Sequence, residues 1–143
     1  MLIKLDRKKK TRIFGSESVA KLVRGILARE HEFDQEKEHM FAIGLTQANH
    51  VKYVDLVSLG SLNGTVAQPR EVFRMAVHRA SASIIIAHNH PSHNSKPSNT
   101  DIITTRELVA AGKILRIEVI DHIIVSEEGY YSFSDEGLLL GGK

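Results

Sequence analysis

The chain has no cysteine and no tryptophan, only 3 prolines, and no apolar run approaching the roughly 20 residues that a bilayer span needs. Lacking cysteine, it can form no disulfide, offer no thiol nucleophile and build no cysteine-ligated zinc site. Any metal must be held by His, Asp or Glu, and any nucleophile must be Ser, Thr, Lys, a carboxylate or water. The basic N-terminus is not followed by the apolar core of about 7–15 residues that marks a signal peptide, so a cytoplasmic location is expected. Net charge is scarce as well: 19 Lys and Arg against 17 Asp and Glu leave +2, too little by itself to argue for a nucleic-acid binder.

What remains is an ordinary globular composition. With 143 residues, 42% hydrophobic and 25% charged, the chain has the size of one domain and can bury a core without staples. Lys4, Arg7, Lys8, Lys9, Lys10 and Arg12 crowd its start, opposed only by Asp6. We read residues 1–14 as a basic arm and residues 15–143 as a single domain. A run of this kind is either a solvated tail or a contact to phosphate, and a DNA contact through it would give a salt-steep affinity.

Hydrophobic periodicity orders the rest. Val19, Leu22, Val23, Ile26 and Leu27 predict a helix from Ser16 to about Glu32, with Ser16 or Ser18 as N-cap. A strand is expected from Glu38 to near Thr46, a hairpin loop at Gln47–His50, and a returning strand over Val51–Leu59. Gly60–Gln68 reads as irregular. Pro69 then opens a helix whose apolar stripe is Val72, Phe73, Ala76, Val77 and Ala80. Ile84–Ala87 is a strand buried on both faces, and His88–Pro97 is a loop broken by Pro91 and Pro97. A helix over Asn99–Lys113, a strand over Ile117–Val125, a turn at Glu127–Gly129 and a strand over Tyr130–Ser134 complete the chain. The order α-β-β-α-β-α-β-β places strands centrally with helices packed on them.

The unusual chemistry is His88-Asn89-His90-Pro91, followed by Ser98 and Asp101. Strand residues alternate faces, so two histidines at i and i+2 leave the strand end on one side and can converge on a cation. Asp101, in the first turn of the next helix, is within reach of the folded-back loop. Two histidines and one carboxylate leave a fourth tetrahedral position open, as in catalytic zinc sites. The same letters admit plainer readings. Ser98-x-x-Asp101 is also a helix-capping signature, and alternating histidines can be ordinary polar termini. Asp121-His122 reads either as a carboxylate–imidazole pair supporting a ligand or as a structural pair. His-Asn-His is not the dispersed triad of HNH nucleases, a zinc deaminase would need downstream cysteines, and the helical His-Glu-x-x-His of zincins is absent.

Taken together, Glu38, His88-x-His90, seven residues, Ser98, two residues and Asp101 resemble the JAMM (MPN-plus) metalloprotease motif. More narrowly, Gly64-Thr65, Pro69-Arg70-Glu71-Val72, Ala87-His88-Asn89-His90-Pro91-Ser92, Pro97-Ser98, Asp101-Ile102 and Asp121-His122-Ile123-Ile124-Val125 resemble the RadC branch over roughly residues 15–135. His93 stands where that branch usually has glycine, and the chain is too short for the N-terminal helix–hairpin–helix module of full-length members. The resemblance implies a three-layer α/β sandwich of the cytidine-deaminase-like, JAMM/MPN type, with a mixed sheet flanked by helices. It implies a Zn²⁺ on His88, His90 and Asp101, whose bound water would reach a pKa of about 7. Glu38 would be the general base and Ser98 an oxyanion donor in hydrolysis of an amide or isopeptide bond in a protein or peptide substrate. Glu36 and Glu71 are alternatives to Glu38 by residue type; Glu38 is preferred because it directly precedes the apolar run Met40–Leu45, where the glutamate of the family it resembles sits. The branch's association with DNA repair implies a second reading, a DNA-associated accessory protein without catalysis.

Overall fold

A computed structural model of the chain describes residues 1–5, 11–30, 35–60, 67–92 and 94–139. Its centre is the strand built from Ile84-Ile85-Ile86-Ala87, buried at every position because a helix layer covers each face. In chain order the elements are α1 (Ser16–Leu27), β1 (Glu38–Leu45), β2 (Val51–Gly60), α2 (Pro69–His78), β3 (Ser83–Asn89), α3 (Asn99–Leu115), β4 (Glu118–Val125) and β5 (Tyr130–Ser132). The sheet order is β2-β1-β3-β4-β5. The β3–β4 pair is parallel and the other three are antiparallel. The α-β-β-α-β-α-β-β order expected from periodicity is the one observed among the described residues.

The alternation of side chains divides the core in two. Phe41, Ile43, Ile85 and Ile123 face α1 and meet Val19, Val23 and Ile26. Ala42, Ile84, Ile86 and Val119 face the other way, against Val72, Phe73 and Ala76 of α2 and Leu108 and Val109 of α3. The result is a three-layer sandwich, α1 over one face and α2 with α3 over the other, around a mixed five-stranded sheet.

Several boundaries differ from the expected ones. Helix α1 ends at Leu27 rather than near Glu32, because the apolar stripe stops there and Arg29 and Glu30 close turns onto Ile26 and Leu27. Its N-cap is Gly15, at φ 91°, and neither serine. Ser18 Oγ instead accepts from the Phe14 N–H and donates to the Gly15 carbonyl. Helix α2 stops at His78, short of Ala80, which turns the chain at φ 50°, and Val77 points to solvent. Helix α3 runs on to Leu115, closed by Arg116 in the left-handed region. Strand β5 ends at Ser132, not Ser134. The largest revision concerns β3, which extends to Asn89, so that His88 lies within the strand rather than in a loop.

Within residues 1–14, Ile3 and Leu2 pair with Val54 and Asp55 along the free side of β2, and Arg12 bridges to His50. Arg7, Lys8, Lys9 and Lys10 lie outside the described residues, as do His31, most of the Gly60–Gln68 segment and His93. No helix among the described residues is long and apolar enough to cross a membrane.

Packing on the β1–β2 hairpin leaves no room at Gly44, where an added Cβ would overlap the Tyr53 ring on the paired strand and crowd Ser81 Oγ. Overpacking of this kind costs about 1–3 kcal/mol. Gly44→Ala is therefore expected to lower the denaturation midpoint by that equivalent in urea titrations; an unchanged midpoint would contradict the packing.

Candidate metal centre

The site sits where β3 runs out beneath the start of α3. His88 shares the face of Ile84 and Ile86 and points toward α3. His90 follows one residue beyond the strand, its N–H still bonded to the Val125 carbonyl at 2.8 Å. Asp101 reaches the same point from the first turn of α3. His88 Nε2 and His90 Nε2 are 3.0 Å apart. Asp101 Oδ1 is 3.4 Å from the former and its Oδ2 3.2 Å from the latter. Ligands placed about 2.0–2.1 Å from a tetrahedral ion lie roughly 3.3–3.4 Å from one another. The three side chains therefore already stand within a few tenths of an ångström of the spacing that a small divalent ion requires. Among the described residues this is the group of three His, Asp or Glu side chains able to share an ion.

The proton arrangement fits an ion too. His90 Nδ1 lies 3.0 Å from the Asn94 carbonyl, which can only accept, so that nitrogen carries hydrogen and the neutral ring presents a bare Nε2 to the site. Asp101 is also fixed by its helix. Ser98 is the N-cap of α3: its Oγ accepts from the Asp101 N–H, and Asp101 Oδ2 accepts from the Ser98 N–H at 2.8 Å. The capping box and the ligand geometry occur in the same residues. The cap orients the carboxylate, and its accepting Ser98 hydroxyl keeps its proton for another acceptor.

Glu38 opens β1. The antiparallel β1–β3 register pairs Met40 with His88, and continuing it by two residues sets Glu38 across from His90, on the site face. Glu38 is half-buried, its charge acts on His90, and with Met40, Ser58, His88, Asp101 and Thr104 it lines a cavity of about 30 Å³. That exceeds the roughly 10–15 Å³ one water needs. Glu36 is exposed and borders a different groove, beside Pro91 and Ser126. Glu71 is exposed in the first turn of α2, where an acid favours the helix dipole. Neither lines the cavity.

Three further residues belong to the site: Asn89 and Thr105, which the sequence reading gave no role, and His122, which it weighed with Asp121 as support for a ligand. Asn89, between the histidines, points to the opposite face. It accepts from the His39 N–H at 2.6 Å and donates to the Lys37 carbonyl at 3.0 Å, clamping the backbone on both sides of Glu38. Because β3 runs to Asn89, that side chain is polar within a fully buried strand and demands partners; read as loop, it gave no such signal in the sequence. His122 and Thr105 lie behind His88: His88 Nδ1 is 2.7 Å from His122 Nε2, His122 Nδ1 is 2.6 Å from Thr105 Oγ1, and Thr105 Oγ1 is 2.6 Å from the Asp101 carbonyl. Asp121 and His122 make no side-chain pair. The Asp121 carboxylate faces away, accepting from Ser132 Oγ and the backbone N–H groups of Ser134 and His122.

Fold and site together define a class: an α/β sandwich domain carrying a candidate centre of two histidines and one aspartate at the end of its middle strand. Comparison with known proteins makes this particular. The chain belongs to the family of RadC-like JAB domains, whose family model matches residues 14–138. It is similar to a UPF0758 protein of Chlorobium chlorochromatii, 45% identical over 106 residues, which cover 74% of this chain and 48% of that protein. A UPF0758 protein of Moorella thermoacetica is 44% identical over 117 residues, 82% of this chain and 51% of that one. The chain thus spans about half the length of the curated relatives it matches.

Without an ion the three ligands share protons instead. The hydrogen bond with Asp101, against the opposing effect of burial, raises His90 above its ordinary 6.5. Burial would raise the Asp101 carboxyl, but the His88 and His90 imidazoles beside it outweigh that effect and hold the group well below its ordinary 3.8. A raised histidine stabilises the fold fully below 6.5 and loses that contribution as pH climbs through its folded value. A depressed carboxyl contributes above 3.8 and loses it on acidification. The pair therefore contributes most between those two values. In metal-free protein, Asp101→Asn, which keeps an oxygen for the cap, is expected to cost about 1.5–3 kcal/mol near pH 5 and distinctly less at pH 9. Urea melts in chelator read the difference; a cost that grew with pH would contradict the pairing.

Proposed function

We propose that the domain is a metal-dependent hydrolase of amide bonds, of the metallopeptidase or isopeptidase kind, with Zn²⁺ held by His88, His90 and Asp101 and a protein or peptide as substrate. The observation that carries this reading is the approach of two imidazole Nε2 atoms to 3.0 Å beside one carboxylate, a convergence of electron pairs suited to a cation between them. The donor set also favours the assignment: two imidazoles and one carboxylate leave a position for water or substrate, the pattern of catalytic rather than structural zinc. Membership of the JAB domain family, which includes metallopeptidases, supports an amide as the bond cleaved.

When bound, Zn²⁺ would polarise the scissile carbonyl and lower the pKa of an adjacent water toward ~7. The protein's own groups account for the remaining work. Glu38, across from His90 on the cavity wall, takes the proton of the attacking water and returns it to the leaving amine. The Asn89 clamp on either side of Glu38 keeps that carboxylate from drifting. Ser98, whose oxygen accepts from the Asp101 N–H, directs its hydroxyl proton to the oxyanion that develops on the substrate, a contact worth about 2.7–4 kcal/mol in sites of this type. Met40 and Thr104 close the inner wall of the cavity and limit the water that enters.

Elemental analysis of the purified chain is expected to find about one zinc per molecule, and none after His88→Ala with His90→Ala. Glu38→Gln is expected to keep the zinc and lower hydrolysis of peptide and isopeptide amides by about 10²–10⁴-fold. Wild-type zinc content in the double-alanine protein would overturn the reading.

A further inference from the structure

The hydrogen-bond chain behind His88 starts at a group that can only accept, and this fixes every proton along it. The Asp101 main-chain oxygen has no hydrogen to give, so the Thr105 hydroxyl donates its one proton there, at 2.6 Å. Thr105 Oγ1 also lies 2.6 Å from His122 Nδ1. With its proton already committed it accepts, and His122 Nδ1 must carry hydrogen. His122 is wholly buried, stacked on Phe133 with ring centroids 4.7 Å apart. Neither ring nitrogen meets a carboxylate, and an unpaired cation in such a place is too costly to form. Its Nε2 is therefore a bare lone pair. That lone pair faces His88 Nδ1 at 2.7 Å, so His88 Nδ1 carries hydrogen in turn.

We propose that Thr105 and His122 form a positioning relay that locks His88 in its Nδ1–H tautomer, so that its Nε2 lone pair is presented to the metal site before any ion arrives. The inference rests on the metal-binding reading above and adds to it two residues that touch neither ion nor substrate. In many metal centres a ligand histidine donates its second N–H to a carboxylate or a backbone carbonyl. Here the acceptor is a second imidazole, and the direction of donation is set one bond further back by a threonine. The relay closes on itself, since the carbonyl that anchors it belongs to Asp101, the third ligand. A shift of α3 at that point would disturb one ligand through its side chain and another through the relay.

The test uses the whole chain and reads tautomers as well as affinity. In metal-free wild type at pH 8.5, ¹⁵N NMR is expected to show His88 protonated at Nδ1 and bare at Nε2. A scalar coupling across the hydrogen bond should connect His88 Nδ1 with His122 Nε2. Thr105→Val keeps the shape and removes the hydroxyl. Folded by circular dichroism, it is expected to lose the single tautomer and to bind Zn²⁺ about 10–100-fold more weakly; Thr105→Ser should restore both. Wild-type His88 protonated at Nε2, or Thr105→Val binding Zn²⁺ with wild-type affinity, would overturn the relay alone. Wild type with the expected tautomer but no affinity for Zn²⁺ would overturn the metal reading and the relay's purpose with it. Should Thr105→Val fail to fold, the wild-type spectra still decide.

Discussion

Two nitrogen lone pairs and a carboxylate held within 3.4 Å of one another repel unless a positive charge lies among them. A fold that places them so must hold each from behind. His90 is held by the Asn94 carbonyl, Asp101 by the backbone of its own helix cap and His88 by His122. None of these supports is a flexible surface side chain. Each is backbone, or a buried ring braced by the core, which is how a site is kept within a fraction of an ångström of its working geometry. The apolar layers exist on both sides of β3 partly for this purpose: a strand free to slide would carry both histidines with it.

The aspartate shows how one residue can satisfy two readings that look like rivals. Ser98 and Asp101 do form a capping box, and the carboxylate does face the imidazoles. Helix N-termini favour negative charge, so the cap keeps the group ionised and oriented while its remaining lone pairs stay available. A lone carboxylate on a loop would lack both constraints.

Much of this was legible in the sequence. The wholly apolar Ile84–Ala87 run ending in two alternating histidines located the middle strand and its open end, and the order of the remaining elements followed from periodicity. The extent of β3 was misjudged because His88 and Asn89 are polar, and polarity reads as loop. Their burial is made tolerable by partners from β1 and β4, which are distant in sequence. Glu38 could not be separated from Glu36 and Glu71 by residue type. Register does separate them, since only Glu38 falls on the site face opposite β3. Helix α1 was read too long because polar residues after Leu27 fit a helix as well as a turn; packing ends the helix, not propensity.

That His122 rather than Asp121 stands behind His88 has a local cause. Strand β4 pairs Val119 with Ile84 and Asp121 with Ile85, leaving Ile120 as the extra residue of a bulge. A bulge shifts the alternation by one position. Val119 faces α2 and α3, so without the bulge Asp121 would share that face and His122 would turn toward α1. The aspartate would then stand behind His88 as a second negative charge. With the bulge, a neutral imidazole stands there, and the only formal charge among the three ligands and the relay is that of Asp101. In the proposed hydrolase, fewer negative charges around the centre would leave more of a divalent ion's field for the substrate carbonyl and the attacking water. One inserted residue in an otherwise regular strand thus decides whether a carboxylate or a neutral imidazole stands behind His88.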